Sequence, residues 1–242
     1  MREGEVVYFP DCLPYIEPLL DFDLDFERII SGAIRIFNQA GIRPAIPEEL
    51  GCRGHDALRS GQYELFNELR EKNSKILRKA KLIVVNCAEC YRTLKKDYSL
   101  EGRVLHISEF VAELVREGGL NLGKMEGKVT FDDPCRLGRH MGVYKPPRDI
   151  LARIANYEET PRSGKEALCC GVGAGINCNK YSELIKEERL KEAAGVADTM
   201  ITSCTRCLAH FGCLLSEPLE RVGLPKIEVR DFTEFVSSNL AG

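Results

Sequence analysis

Short apolar runs alternate with segments whose apolar residues return every three or four positions. Glu5-Val-Val-Tyr-Phe-Pro-Asp-Cys12, Leu82-Ile-Val-Val-Asn-Cys87 and Val104-Leu-His-Ile-Ser108 each read as a short strand. So do Lys128-Val-Thr-Phe-Asp-Asp-Pro-Cys135, Thr199-Met-Ile-Thr-Ser-Cys204 and Ile227-Glu-Val-Arg-Asp231. Between them, Phe26, Ile29, Ile30, Ala33, Ile34 and Phe37 follow the i, i+3, i+4, i+7 rule of an amphipathic helix. Helices are predicted over 24–40, 64–80 and 181–194, the last stopped by Gly195. Apolar strands alternating with helices favour a mostly parallel sheet covered by helices.

The pattern occurs twice. Cys12, Cys52, Cys87 and Cys90 recur as Cys135, Cys169/Cys170, Cys204 and Cys207, at steps of 117 to 123 residues. Each copy delivers one cysteine at the end of its first strand and a Cys-x-x-Cys after a second. A third strand then leads into an acidic cap and a helix. Internal repeats of this kind fix an architecture. The expected fold is α/β, in two pseudo-symmetric halves, each a small mostly parallel sheet flanked by helices. The halves are 1–120 and 121–242, joined by the Gly-rich Gly118-Gly-Leu-Asn-Leu-Gly-Lys-Met-Glu-Gly127. Sites in open α/β sheets form beyond the carboxyl ends of strands, where Cys12, Cys87, Cys135 and Cys204 all lie. Asn86 and Ser203 are the expected caps of the helices that follow, and helix N-termini favour thiolate over thiol.

Composition sharpens this picture in one respect. The 242 residues carry a net charge of -3 with basic residues scattered, which gives no footing for nucleic acid. No apolar run is long enough to span a membrane, and no signal region opens the chain, so a cytoplasmic protein without direct membrane insertion is expected. Eleven cysteines are the outlier. In an unsignalled chain of this length, clustered thiols favour metal over a disulfide framework. Cys135, Cys169, Cys170, Cys204 and Cys207 make five, one more than a tetrahedral zinc or a four-cysteine cluster takes. The adjacent pair on glycine-relieved backbone supplies the excess.

These motifs resemble the cysteine-rich CCG-domain family, which includes the catalytic subunit of heterodisulfide reductase and iron-sulfur subunits of lactate and glycolate oxidation complexes. Asp133-Pro-Cys-Arg-Leu-Gly-Arg-His140, Leu168-Cys-Cys-Gly171 and Ser203-Cys-Thr-Arg-Cys207 carry the resemblance in the second copy. Tyr8-Phe-Pro-Asp-Cys12, Gly51-Cys-Arg-Gly54 and Asn86-Cys-Ala-Glu-Cys90 carry it more loosely in the first. The resemblance implies a noncubane [4Fe-4S] cluster on Cys135, Cys169, Cys170, Cys204 and Cys207. It implies an oxidoreductase subunit acting on a small disulfide or thiol, or relaying electrons in a 2-hydroxy-acid pathway. A ferredoxin-like or flavin-containing subunit would be the partner, because the tight cysteine run of a ferredoxin is absent.

The first copy departs from the pattern. Gly51 stands where the first cysteine of the pair belongs, and Arg53 where the glycine belongs. Cys12, Cys52, Cys87 and Cys90 remain as a metal set, for zinc or a second iron-sulfur cluster. A chain with zinc in both halves would be a non-catalytic assembly module. His55 reads as a hydrogen-bonded loop histidine, His210 as structural, and Cys178 and Cys213 as buried packing thiols. His140 and Arg139 are weak catalytic candidates; Arg136, Arg139 and Arg206 either meet an anion or pair with carboxylates. Asp21-Phe-Asp-Leu-Asp-Phe-Glu27 reads as acids suited to a helix dipole, with a basic docking partner as the alternative.

Overall fold

The computed structural model describes residues 5–12, 18, 20, 22, 24–100, 102–173, 179–217, 223 and 226–241. The first half opens on β1 (Val6–Phe9) and continues through α1 (Phe26–Gln39), α2 (His55–Arg59) and α3 (Tyr63–Leu77). It closes with β2 (Leu82–Val85), α4 (Ala88–Asp97), β3 (Arg103–His106) and α5 (Ile107–Arg116). The second half runs β4 (Lys128–Phe131), α6 (Gly138–Met141), α7 (Lys145–Ile154), β5 (Asn156–Tyr157) and α8 (Lys180–Ala194). It ends with β6 (Thr199–Thr202), α9 (Thr205–Leu215), β7 (Glu228–Asp231) and α10 (Phe232–Ser238).

The α/β class is as expected. Two wholly parallel sheets form, in the orders β1-β2-β3 and β5-β4-β6-β7. β1 and β2 are buried along their whole length, which is why their sequence shows no polar alternation. The halves differ at one edge. β5 pairs with β4 beside Val129, whereas the first half has only a bridge at Val7, with Ala45 N donating to Val6 O at 2.8 Å. Two residues are too few to display a period, so β5 was not readable in sequence.

The halves pack reciprocally. α1 lies on α10, and α5 lies on α7, so each half's first long helix meets the other half's last. Gly32 permits the first contact: a Cβ there would lie 2.7 Å from Ser237 Oγ. One hydrophobic core runs through both sheets. Among the described residues no helix is long and apolar enough to cross a membrane.

Caps account for the helix starts. Asp25 Oδ1 accepts from Arg28 N at 3.1 Å and starts α1 two residues later than its apolar pattern suggests. Asp25 thus serves the helix; Asp21 and Asp23 of the acidic stretch lie outside the described residues. Asn86 and Ser203 are not caps. The capping positions are Cys87 and Cys204, in extended backbone, one residue further on. Asn86 instead donates from Nδ2 to Tyr8 Oη at 2.9 Å inside the core.

Candidate metal centre

In both sheets an inner strand ends at Cys-x-x-Cys and turns directly into a helix. Cys87 and Cys204 stand at the N-termini of α4 and α9, where free backbone N–H groups favour the thiolate. Asp11, held in left-handed backbone at φ 64, accepts from Asn86 N at 3.0 Å and Cys87 N at 2.8 Å. The strand that delivers Cys12 therefore also fixes Cys87.

The two Cys-x-x-Cys turns meet face to face. Ala88 N donates to Ser203 O at 3.3 Å, and the Cys87 and Cys204 thiol groups hydrogen-bond each other. His106 Nδ1 accepts from Ser108 N, which leaves Nε2–H to donate to Asn86 O at 2.7 Å and Ser203 O at 3.2 Å. Glu89 and Arg206 hold equivalent positions in the two motifs, and they pair at 3.8 Å. Opposite charges at equivalent repeat positions were the sequence signal for this contact.

All five sulfur ligands expected in the second half converge. Cys135, Cys169, Cys170, Cys204 and Cys207 line one cavity of about 240 Å³ together with Glu89, Arg136, Arg139 and His140. Hydrogen bonds link Cys135 to Cys169, Cys169 to Cys170 and Cys204 to Cys207, while Cys207 Sγ lies 3.2 Å from Cys170 Sγ. Bonds from Cys135 and Cys170 pull the Cys169 thiol down to about 2, despite its burial. Gly171 makes the adjacent pair possible. Its φ is +87°, and a Cβ would lie 2.7 Å from Ser182 O. Arg139 Nη1 donates to Ala167 O at 2.6 Å and holds the approach to Cys169. Asp133 binds Arg148 through both oxygens, at 2.7 and 2.6 Å, and steadies the loop carrying Cys135. Five soft, convergent cysteine sulfurs, buried or half-buried, fit an iron-sulfur cluster, and their number exceeds a tetrahedral zinc site.

The first half also gathers its four cysteines, but around a side chain. Arg53 is 2% exposed; its Nη1 donates to Cys12 Sγ, and Nη2 lies 3.5 Å from Glu89 Oε2. Hydrogen bonds from Cys52 and Cys90 pull Cys12 down to about 2. His55 opens α2 rather than standing in a loop; it is buried, bonds Thr93 Oγ1 at 2.7 Å, and is pushed by burial down to about 3.

Glu89 is the cavity residue that sequence reasoning missed. Burial pushes it up to about 7, and it reaches from the first half into the second half's cavity. The remaining candidates fall into place around it. Arg206 pairs with Asp56 and Glu89. His210 is buried, and His140 is exposed at the cavity mouth. Cys213 is only half-buried, and Cys178 lies outside the described residues.

The family model for the cysteine-rich domain, CCG, matches residues 6–95 and again 129–212. The chain belongs to the cysteine-rich CCG-domain family. Within that family it is 32% identical over 84% of its length to a subunit of the CoM/CoB fumarate reductase of Methanothermobacter marburgensis, covering 41% of that protein. It is 32% identical over 85% of its length to a subunit of the dihydromethanophenazine:CoB--CoM heterodisulfide reductase of Methanosarcina barkeri, covering 53% of it. An EtfAB:quinone oxidoreductase of Syntrophomonas wolfei is 34% identical over 86% of the chain, which spans 31% of that protein. The chain thus spans about half or less of these relatives.

Proposed function

We propose that the chain is an iron-sulfur oxidoreductase subunit whose Cys135, Cys169, Cys170, Cys204 and Cys207 hold a noncubane [4Fe-4S] cluster. The convergence of five sulfurs on one cavity carries this reading. A bound cluster supplies single electrons at a potential set by charge, hydrogen bonding and burial. Cleaving a disulfide takes two electrons and two protons and releases two thiols. Gly171 and Arg139 shape the loop that presents the paired thiolates. Glu89, paired with Arg206 behind it, lines the inner wall, and His140 at the mouth exchanges protons with solvent.

The relatives' names support an oxidoreductase reading and leave a second one, electron relay in a complex that oxidises a 2-hydroxy acid such as lactate or glycolate. The quinone oxidoreductase relative is in keeping with electron relay and says nothing of the 2-hydroxy acid. Either role calls for a ferredoxin-like or flavin-containing partner subunit.

Iron and acid-labile sulfide, measured with EPR on anaerobically purified protein, test the proposal. About four irons per chain are expected, with an oxidised-state signal lost in Cys170→Ser. Zinc without iron in both halves would make the chain an assembly module instead.

A further inference from the structure

We propose that the first half holds no iron-sulfur cluster, because Arg53 fills with its own cation the space its four cysteines enclose. The side chain is not a surface arm lying there by chance. Tyr98 Oη donates to Arg53 O at 3.0 Å, and Asn73 bonds Gly51 N, Gly51 O and Cys52 O on the two preceding residues. Asn73 is itself fully buried. The guanidinium is set among Cys12, Cys87 and Cys90 with Glu89 beside it. A buried guanidinium stays charged and needs anions around it; the thiolates and Glu89 provide them.

The backbone agrees. The left-handed turn falls at Gly54, with φ +78°, and not at residue 53, so the loop follows a different path from the one at Gly171. Gly51 brings no sulfur to the place of Cys169. Where Arg53 stands, the second half has a glycine and a cavity of about 240 Å³. A four-iron group and a guanidinium cannot share that volume.

The test restores the missing pair with Gly51→Cys/Arg53→Gly and counts iron and sulfide after anaerobic reconstitution. The wild type is expected to hold about four irons and the double variant about eight. In single variants, Cys90→Ser should leave iron unchanged and Cys207→Ser should remove it. That comparison stands even if the double variant fails to fold. A wild type with about eight irons, half of them lost in Cys90→Ser, overturns the proposal. A wild type without iron sinks the reading of the second half, while a gain by the double variant alone would still uphold the block by Arg53.

A second inference comes from the cavity mouth, and it deepens the proposed function. We infer that the mouth binds an oxyanion carried by the thiol or disulfide substrate. Arg136 and Arg139 line the cavity with His140, and the charges of Arg59 and Arg92, from the first half, act on the same imidazole. Arg92 takes Asp97, which Arg59 reaches only at 4.0 Å, leaving Arg59 Nε and Nη2 buried without a hydrogen-bond partner. Among the described residues no carboxylate pairs with Arg136 or Arg139; Arg136 turns Nη1 to the His140 ring at 3.1 Å. Four guanidinium groups that outnumber the carboxylates beside them, Asp97 and Glu89, repel one another unless a further anion joins them, and guanidinium forks match oxyanions.

Titration calorimetry with inorganic pyrophosphate, on anaerobically purified protein of measured iron content, is the test. Saturable binding is expected, weakened at least tenfold in Arg59→Gln and in Arg136→Gln and unchanged in the remote Arg35→Gln. Equal affinity in all variants overturns the inference. So does binding of an acidic peptide without pyrophosphate, which would assign the mouth to a protein partner. Pyrophosphate binding by iron-free protein would uphold this site and sink the cluster reading; iron-loaded protein that ignores pyrophosphate would do the reverse.

Discussion

The loops 51–54 and 168–171 occupy the same place in the two halves and solve opposite problems. The second presents two adjacent thiols to a cavity and needs Gly171, because no side chain fits where its Cβ would stand. The first has lost one thiol and gained Arg53, whose guanidinium lies among the remaining sulfurs. The frame around them is common: the same strand order, the same Cys-x-x-Cys helix start, the same reciprocal helix packing. A duplicated frame thus tolerates divergence at a ligand position provided the charge is rebalanced. The thiolates that metal would neutralise in one half are met by an internal cation in the other.

The sharpest way to break this comparison is to remove that cation. Arg53→Met strips half-buried Cys12 of its cation and leaves buried Glu89 only Arg206 at 3.8 Å, and breaking such a buried pair costs about 3 kcal/mol or more. Urea denaturation of the iron-free protein should show it as a lower midpoint. An unchanged midpoint would mean that Arg53 balances nothing. Arg139, which lines the other half's cavity but is exposed, should cost under about 1 kcal/mol on removal in the same assay.

Next in size is the backbone contrast. Gly171→Ala forces a Cβ to 2.7 Å from Ser182 O in left-handed backbone, a strain of about 1–3 kcal/mol. Gly51→Ala meets nothing nearer than Lys72 Nζ at 4.0 Å and should fall within about 0.5 kcal/mol of wild type. Equal losses at the two positions would show that the loops are not differently constrained. Iron retention in the Gly171 variant adds a second readout, since the displaced element carries Cys169 and Cys170.

Much of this was legible in the sequence, for a physical reason. Fully buried parallel strands and amphipathic helices write themselves as apolar runs and 3.6-residue periods, so β2 and α1 were readable to within two residues. Cysteines at repeated spacing exposed both sulfur sets. Contacts made by folding across the repeat were less accessible. Glu89 reads as an ordinary helix acid until α4 and α9 are brought face to face. Arg53 reads as a lost glycine, and only the fold shows its side chain turned inward. The elements α2, α6 and β5 are five residues or fewer, too short to display a period.

A last contrast concerns the caps that end the third strand of each half, which are opposite in acid–base character. His106 Nδ1 accepts from Ser108 N at 3.2 Å, and Asp231 Oδ1 accepts from Thr233 N at 2.7 Å. Burial holds the His106 pKa below that of a free imidazole, and it pushes Asp231 up to about 7. As pH falls through the ordinary histidine range, the unfolded chain takes the proton first, so the His106 contribution to stability is lost toward acid. Asp231 runs the other way. The unfolded carboxyl ionises near about 3.9 while the folded one keeps its proton, so stability declines as pH rises from there to about 7. Asp231→Asn keeps a capping oxygen but removes the titration, and should flatten the decline between those values; His106→Asn should flatten the acid limb. Denaturation midpoints from pH 4 to 8 read both slopes. If Asp231→Asn traces a curve parallel to wild type, Asp231 titrates alike in the folded and unfolded chain, and the contrast between the halves stops at their cysteine loops.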